Sequence, residues 1–461
     1  MISCFEIFRV YRVGTSLLRC DAAGIRFLYD PPVATSINHL LFTMPIKPAV
    51  GFILACIFLD ALGIGLIVPV LPRLIGTLSE TRDAQTWWYG LIMLSYGVMQ
   101  FVSSPLLGAL SDRIGRRPVL LGGILGLGLT FAVPAFSGSL VLILVSRVVG
   151  GMMSANMTVA QAYIADVTQG VGRCSGFGKI GAAFGVGFVL GPAVGGLLGD
   201  SDPRWPFMSA SAVALLNFLY GAFVLPESLT ERAAKPLSWR NNNPLRALFD
   251  VTRVPANRLF LLILTLTSLA NALMQCTWAL YTEFRYGFTP LAIGLSVFAL
   301  GLSIAFMQGV VLQRLIRFVR PREIVLGALV IGSAAMAFVA LSPWGIAASA
   351  ACCIYAVMSA ATPVLTGEIS RRTLKTEQGK SMGAVSSLNS LTGALAPALG
   401  TPLLMFSARH TDNVFAGSPY FVCAGLLFLA LIAVLAASRM NIDFSTKKFR
   451  DVPTETTGTL S

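Results

Sequence analysis

The chain has 461 residues, of which 55% are hydrophobic and 12% are charged, and its formal net charge at pH 7 is +13. Soluble domains carry roughly 25% charged residues, so this composition excludes an ordinary soluble protein and indicates one that lies in the lipid bilayer. The basic residues fall in short clusters between apolar segments, which favours membrane orientation over nucleic-acid binding as the reason for the positive charge.

Residues 1–43 precede the first apolar segment, and basic residues interrupt every apolar stretch within them. This pattern is typical neither of a membrane-spanning helix nor of a cleavable signal peptide. Met44 opens a short basic leader and is a more natural start. We therefore interpret residues 1–43 as an N-terminal extension that is disordered or not part of the native start; a regulatory or targeting arm is the alternative.

Twelve apolar segments of about 18 residues or more follow, each long enough to cross a bilayer as a helix. Their centres lie near residues 60, 98, 128, 152, 186, 215, 269, 301, 333, 355, 393 and 428. The longest polar interval, residues 226–258, divides them six and six. We predict an all-α polytopic membrane protein with two six-helix bundles, at residues 44–225 and 259–440, joined by a linker at residues 226–258 and followed by a tail at residues 441–461.

Lysine and arginine concentrate in the loops after the even-numbered segments and in the tail. Such basic loops stay in the cytoplasm, so we expect both termini and the linker to lie there. The expected location is the bacterial inner membrane, where the chain would be a monomer in contact with the lipid bilayer.

A dense charge cluster separates the second and third segments, where residues 108–121 read GALSDRIGRRPVLL. Its glycines permit close helix approach and an unusual backbone turn, and its aspartate can pair with a nearby arginine. A basic membrane anchor would explain the arginines but not their order. The pattern resembles the loop between helices 2 and 3 of the major facilitator superfamily. The residues assigned to this gating loop are Gly108, Asp112, Arg113, Gly115, Arg116 and Arg117.

Four further stretches carry a more specific resemblance. They are FLDALGIGLIVPVLPRL at residues 58–74, AQAYIADVT at 160–168, LLNFLYGAFVLPESL at 215–229 and WALYTEFRYGFTPLAIGLS at 278–296. Together they are similar to the tetracycline/proton antiporters, drug efflux proteins in the 12-helix branch of that superfamily. The resemblance implies export of an amphipathic compound, tetracycline-like or multidrug, in exchange for protons by alternating access. A proton-coupled metabolite exporter or uptake carrier, and more remotely a non-transporting sensor, are the alternatives.

Two ionisable residues lie deep inside predicted helices. Asp60 is about a dozen residues into the first segment, near the bilayer midplane, where a carboxylate costs at least roughly 2.5 kcal/mol and is a functional candidate. Arg147 lies in the fourth segment, and the resemblance implies a role for it in proton transfer. The alternatives are that Asp60 caps a helix break near Gly63 and Gly65 or pairs permanently with a buried arginine, and that Arg147 locks its helix by bonding backbone carbonyls.

The resemblance also assigns Asp166, at the end of the fourth segment, to the gate, and Asp166 is a further candidate for proton coupling. The resemblance implies that Asp112, Arg116 and Asp166 are partners on the cytoplasmic side. The fifth segment contains GVGFVLGPAVGG at residues 185–196, which resembles the antiporter motif of efflux proteins. Small residues spaced four apart allow helix backbones to touch, and a proline bends the helix. The residues of this motif are Gly187, Gly191, Pro192 and Gly195; generic helix packing is the alternative.

Scattered amides and aromatic rings inside the helices are expected to line a substrate cavity. Each of them could instead join neighbouring helices by hydrogen bonds, but together they suit a flat amphipathic compound better than a sugar. These cavity residues are Tyr96, Gln100, Asn156, Gln161, Asn271, Gln275, Trp278 and Asn389.

Several family features are missing. Tetracycline pumps that resemble this chain carry an aspartate in helix 3, a histidine in helix 8 and an aspartate in helix 9, where this sequence has Thr130, Ser303 and Ile331 or its neighbour Val330. Coupling would then depend on Asp60, Arg147 and Asp166. No nucleotide loop, catalytic triad or metal-ligand spacing is present. We therefore expect no enzyme, no catalytic residues, no cofactor and no metal site.

Overall fold

The computed structural model of the chain describes residues 48–154, 156–167, 171–229, 255–372, 378–410 and 414–439. The predicted extension at residues 1–43, most of the predicted linker and the predicted tail at residues 441–461 lie outside this part.

Twelve helices in the described ranges are long and apolar enough to cross a membrane, as the sequence predicts. We number them α1 to α12, and a short helix, Leu71–Thr77, connects α1 to α2. Their bounds are α1 Pro48–Ile67, α2 Arg82–Ile114, α3 Arg116–Phe136, α4 Leu140–Met153 and Asn156–Val167, α5 Val171–Ser201, α6 Trp205–Val224, α7 Pro255–Tyr286, α8 Pro290–Phe306 with Met307–Val311 and Leu312–Phe318, α9 Pro321–Leu341, α10 Gly345–Tyr355 with Ala356–Ala360 and Ala361–Arg372, α11 Gln378–Arg409, and α12 Ser418–Arg439.

Local sequence signals set several of these helix ends. The hydroxyl of Thr81 accepts a hydrogen bond from Ala84 N at 3.2 Å and caps the start of α2, because the first backbone N–H groups of a helix have no partner within it. Thr289 caps α8 in the same way, with Pro290 at the first helical position. Between α2 and α3, Gly115 has a φ of 117°, a conformation that favours glycine.

The helices form the two six-helix bundles that the sequence predicts. In the first bundle, α1 packs on α5, α3 on α6 and α2 on α4; in the second, α7 packs on α11 and α12, and α9 on α12. The bundles meet where α2 contacts α11 and where α5 contacts α8. Large apolar side chains cover the outward sides, with Phe223 87% and Ile346 85% exposed. Such exposure suits a bilayer and would be unfavourable in water.

Several contacts between the bundles lie at one end of the molecule. We call the end with the α2–α3 turn the Gly115 face and the opposite end, where α2 begins, the Asp83 face. Near the Asp83 face, Asp83 pairs with Arg409 of the second bundle at 2.8 Å, and the Tyr89 hydroxyl donates to Cys276 O at 2.9 Å. Deeper in, Gly97 of α2 packs on Ala394 of α11. The bundles are thus joined from the Asp83 face towards the middle of the molecule.

Glycine makes this junction tight. At Gly90 of α2 a β-carbon would overlap the side chain of Thr401 on α11, and at Gly294 of α8 it would overlap the carbonyl oxygen of Pro192 on α5. The void that remains beside Gly90 and Thr401 admits no water molecule. The Asp83 face is therefore sealed between the bundles.

Candidate functional site

Asp60 lies in the middle of α1 and is bound by an amide. Its carboxylate accepts a hydrogen bond from Asn156 Nδ2 at 3.0 Å. Asn156 is buried and begins the second segment of α4, where that helix is interrupted. The Asn156 side chain fits against Gly123 of α3, where a β-carbon would overlap its Oδ1 atom. Three helices of the first bundle therefore cooperate to hold one carboxylate.

Two alternatives for Asp60 are wrong in this structure. Helix α1 runs unbroken past Gly63 and Gly65, so Asp60 does not cap a helix break. Instead, Gly65 lies against Gly191 of α5. No ion pair joins Asp60 to a buried arginine within the described part of the chain, and its hydrogen-bond donor is the neutral amide of Asn156.

Arg147 is buried in the first bundle, with 7% of its surface exposed. Its guanidinium lies over the rings of Phe131 and Phe207, 5.6 and 5.7 Å from their centroids. These contacts supply cation–π attraction, but Nε and Nη2 have no hydrogen-bond partner among the residues described. These two atoms therefore do not bond the backbone carbonyls that would lock α4. Tyr96 lies within electrostatic reach of both Arg147 and Asp60.

The gating loop brings together the three residues that the resemblance pairs. Arg116 Nη1 lies 2.5 Å from Asp112 Oδ1, and Arg116 Nε lies 3.0 Å from Asp166 Oδ2. Arg116 also donates to Ser111 Oγ at 2.6 Å. Its side chain is only 8% exposed, so these charge-assisted contacts, which join α2, α3 and α4, are largely shielded from solvent on the arginine side. Arg113 is exposed and lies outside the cluster.

A carboxylate that the sequence reasoning missed completes this cluster. Glu227, just after α6, accepts hydrogen bonds from the backbone N–H groups of Arg116 at 2.9 Å and Arg117 at 3.2 Å. Ser228 donates to Asp166 Oδ2 at 3.3 Å. A carboxylate at a helix N-terminus is favourable, and the absence of a side chain at Gly115 leaves room for it, since a β-carbon there would overlap Glu227 Oε2. The sequence signal for this role is the acidic residue of PESL at the start of the predicted linker.

The glycines of the antiporter motif face α1. A β-carbon at Gly187, Gly191 or Gly195 would overlap backbone atoms of α1. The ring of Pro192 lies against Gly65 of α1, whereas its carbonyl group lies against Gly294 of α8 in the second bundle. One side of helix α5 therefore packs closely against α1 of its own bundle, and another side packs against α8 of the second bundle.

The predicted cavity residues fall into two groups. The structure buries Trp278 in the second bundle, where its indole N–H donates to Ser296 Oγ at 2.9 Å, and it buries Asn156 beside Asp60. Tyr96 is half-buried, and Asn389 accepts a hydrogen bond from Ser268. The exposed amides are Gln100, Gln161, Asn271, Gln275 and Asn389.

The positions that depart from the tetracycline pumps hold no membrane charge. The hydroxyls of Thr130 and Ser303 donate to carbonyls of their own helices, Leu127 O and Ala299 O. Val330 and Ile331 are 51% and 42% exposed on the side of α9. In the part of the chain that the structure describes, no three His, Cys, Asp or Glu side chains are close enough to hold a metal ion.

Comparisons with known proteins agree with this architecture. The family model described as Major Facilitator Superfamily matches residues 53–397. The chain is 34% identical to the class D tetracycline resistance protein of Salmonella ordonez over 84% of this chain and 96% of that protein. It is 32% identical to the class C tetracycline resistance protein of Escherichia coli over 80% of this chain and 94% of that protein. The crystal structure of the human organic anion transporter MFSD10 (TETRAN) superposes with a TM-score of 0.63 at 26% identity, covering 85% of this chain and 99% of that one.

The family match covers most of the chain, from within α1 to within α11, and includes the gating loop and the antiporter motif. The relatives confirm the predicted resemblance to tetracycline resistance proteins and the expectation of a transporter rather than an enzyme. With its twelve membrane helices, the chain belongs to the Major Facilitator Superfamily.

Proposed function

We propose that this transporter exports an amphipathic drug-like compound in exchange for protons by alternating access. The names of its tetracycline resistance relatives suggest the class of compound. In this proposal the protein is a monomer in the bacterial inner membrane. The Gly115 face and both termini lie in the cytoplasm, in keeping with the distribution of basic residues.

The observation that carries the proposal is the environment of Asp60. Its half-buried carboxylate lies within the membrane span of α1 and is bound by a neutral amide rather than by a cation. A carboxylate at that depth without a counter-ion is costly when charged, which favours exchange of a proton. Asn156 bonds either form, because its amide can donate to a carboxylate or accept from a carboxylic acid. Asp60 is therefore the proposed proton carrier, with Arg147 and Tyr96 as its electrostatic neighbours.

Alternating access is supported by the contacts between the bundles at the Asp83 face. In this proposal the sealed Asp83 face belongs to a state that is open towards the Gly115 face. Switching would require the α2–α11 and α5–α8 contacts to part near the Asp83 face and the bundles to approach each other at the other end. We propose that the cluster of Asp112, Arg116 and Asp166 controls this second contact, because it fixes the ends of α2, α3 and α4 at that face.

The substrate site in this proposal lies between the bundles, with the exposed amides of α2, α4, α7 and α11 as its polar contacts. The absence of charge at Thr130, Ser303 and Ile331 argues against recognition of a metal-chelated drug. An apolar site with a few amides suits a flat compound that carries few hydrogen-bonding groups.

Transport in everted membrane vesicles tests the proton site. The wild-type chain should accumulate a fluorescent amphipathic drug when a pH gradient is imposed, and Asp60→Asn should lose this response because an amide cannot exchange a proton. Drug binding should survive in Asp60→Asn. Glu80→Gln, which removes an exposed carboxylate, is the matched control and should behave as wild type. Transport in Asp60→Asn that still follows the gradient would exclude Asp60 as the carrier.

A second candidate is proton-coupled transport of an organic anion. It is favoured by the two unpartnered guanidinium nitrogens of Arg147 and by the likeness to the human organic anion transporter. A susceptibility panel in a pump-deficient host separates the two candidates. Raised resistance to cationic and neutral drugs supports drug export, whereas unchanged resistance with altered uptake of labelled organic acids supports the anion carrier.

A further inference from the structure

Glu283 is a carboxylic residue at the seal between the bundles that neither the gate nor the proposed proton carrier uses. It lies near the end of α7, two turns beyond Cys276, whose carbonyl receives the Tyr89 hydroxyl from the first bundle. The neighbouring Phe284 ring lies 5.5 Å beneath the guanidinium of Arg82, also from the first bundle. Glu283 is half-buried and therefore lies at the Asp83 face beside residues of the opposite bundle.

One oxygen of this carboxyl group is left without a partner. Glu283 Oε2 is buried and has no hydrogen bond within the described part of the chain. Its polar neighbours are Gln85 beside it and, at longer range, Arg73 and Arg82. A buried carboxylate oxygen without a donor costs free energy, and the cost is greater when the group is charged.

The two arginines that could neutralise the carboxylate are directed elsewhere. Gln85 donates a hydrogen bond to the Glu283 carboxyl group as well as to Pro72 O, the latter at 2.9 Å. Arg73 reaches towards Asp200 O at 3.5 Å, and Arg82 lies on the Phe284 ring. Among the residues described, neither arginine forms an ion pair with Glu283, and the only cross-bundle ion pair named at this face is Asp83 with Arg409.

The partners of Glu283 come from the first bundle, whereas Glu283 itself belongs to the second. The short helix contributes Arg73, and α2 contributes Arg82, Gln85 and Tyr89. Parting of the bundles at the Asp83 face would move all of these neighbours away together and would expose Oε2 to water. Sealing would bury that oxygen again, as it is in this structure.

We propose that Glu283 binds a proton from the solution at the Asp83 face and that this protonation favours sealing of the bundles. The proton passes from water to Oε2 while the face is open and forms a neutral carboxylic acid. It is held while the face is sealed and returns to the same solution when the face reopens. No net charge crosses the membrane at this residue, so Glu283 sets the pH dependence of closure rather than the number of protons exchanged.

This inference uses the alternating access of the proposed function but does not depend on the exported compound or on Asp60. The direction of this pH effect suits an exporter driven by a proton gradient whose acidic side is outside the cell. Protons outside would favour the state that is sealed outside and open to the cytoplasm, where the next substrate binds. The two arginines oppose the effect by favouring the charged form, so Arg73→Gln should strengthen the pH dependence.

Alkylation of a cysteine placed in the seal tests the proposal without any substrate. In Thr401→Cys, the rate of reaction with a membrane-impermeant maleimide reports opening of the Asp83 face. The rate is divided by that of Glu80→Cys, an exposed position at the same face, to remove the effect of pH on thiol chemistry. The parent protein supplies the background of its own cysteines, four of which are buried among the five described as free.

We expect the normalised rate to fall severalfold between about pH 8 and about pH 5, as protonation seals the face. With Glu283→Gln the rate should be low and independent of pH, because the amide imitates the neutral acid. With Glu283→Asp the pH dependence should remain. An unchanged pH dependence in Glu283→Gln would overturn the proposal. Loss of drug transport alone would concern the proposed function and leave this result intact.

Discussion

The contact between Gly90 and Thr401 offers a steric test of alternating access. A β-carbon at Gly90 would overlap the Oγ1, Cγ2 and Cβ atoms of Thr401. Rotation of the threonine could move Oγ1 and Cγ2 but not Cβ, so the helices must shift. One extra methyl group in a packed site costs about 1–3 kcal/mol.

This cost applies only where the two bundles touch. Gly90 belongs to α2 and Thr401 to α11, so Gly90→Ala destabilises the state sealed at the Asp83 face and leaves the open state unaffected. A difference of about 1–3 kcal/mol changes the ratio of the two states by about 5- to 150-fold. We expect the variant to favour the open state and to transport poorly.

Pulsed electron paramagnetic resonance measures this ratio directly. Spin labels at Glu80→Cys and His410→Cys lie on opposite bundles at the Asp83 face, and Gly90→Ala should lengthen the distance between them. Thr401→Gly removes all three overlapping atoms and should restore the short distance in the double variant, although glycine within α11 costs about 1 kcal/mol of helix stability. The reasoning is refuted if Gly90→Ala leaves the distance distribution unchanged.

The remaining predictions concern the Gly115 face. Asp112→Asn or Arg116→Ala should abolish transport while the protein still inserts into the membrane, because the cluster that fixes three helix ends is lost. Full transport in both variants would show that the loop serves only to orient the protein in the membrane. Glu227→Ala should lower the free energy of unfolding by about 1–2 kcal/mol through loss of a helix cap, measured as thermal unfolding in detergent. Glu227→Gln keeps one acceptor and should cost less, and equal stability of the two variants would contradict the capping role.

The sequence alone determined the number and identity of the membrane helices. A helix that crosses a bilayer must be about 20 residues long and apolar, so each span is visible without knowledge of its neighbours. The gating cluster was also predictable in part. Asp112 and Arg116 are four residues apart in the chain and meet across one turn, and the family resemblance added Asp166.

Only the tertiary structure decided which polar groups meet across helices. Asp60 and Arg147 are the two charged residues that the sequence places deep in the first bundle. In the packed helices, however, Asp60 accepts a hydrogen bond from Asn156, and Arg147 lies over two phenylalanine rings. The rotation of each helix about its axis sets these pairings. That rotation depends on glycine contacts such as Gly123 with Asn156, which the sequence of one helix does not reveal.

The same reason accounts for the two carboxylates that the sequence analysis left out. Glu227 and Glu283 lie at helix ends, where a charged residue is unremarkable because water is near. Glu227 acquires its role from the N-terminus of α3, more than a hundred residues earlier in the chain, and Glu283 from the residues of the first bundle that close over it. Burial of a group at a helix end is decided by what packs against that end, and only the assembled bundles supply that information.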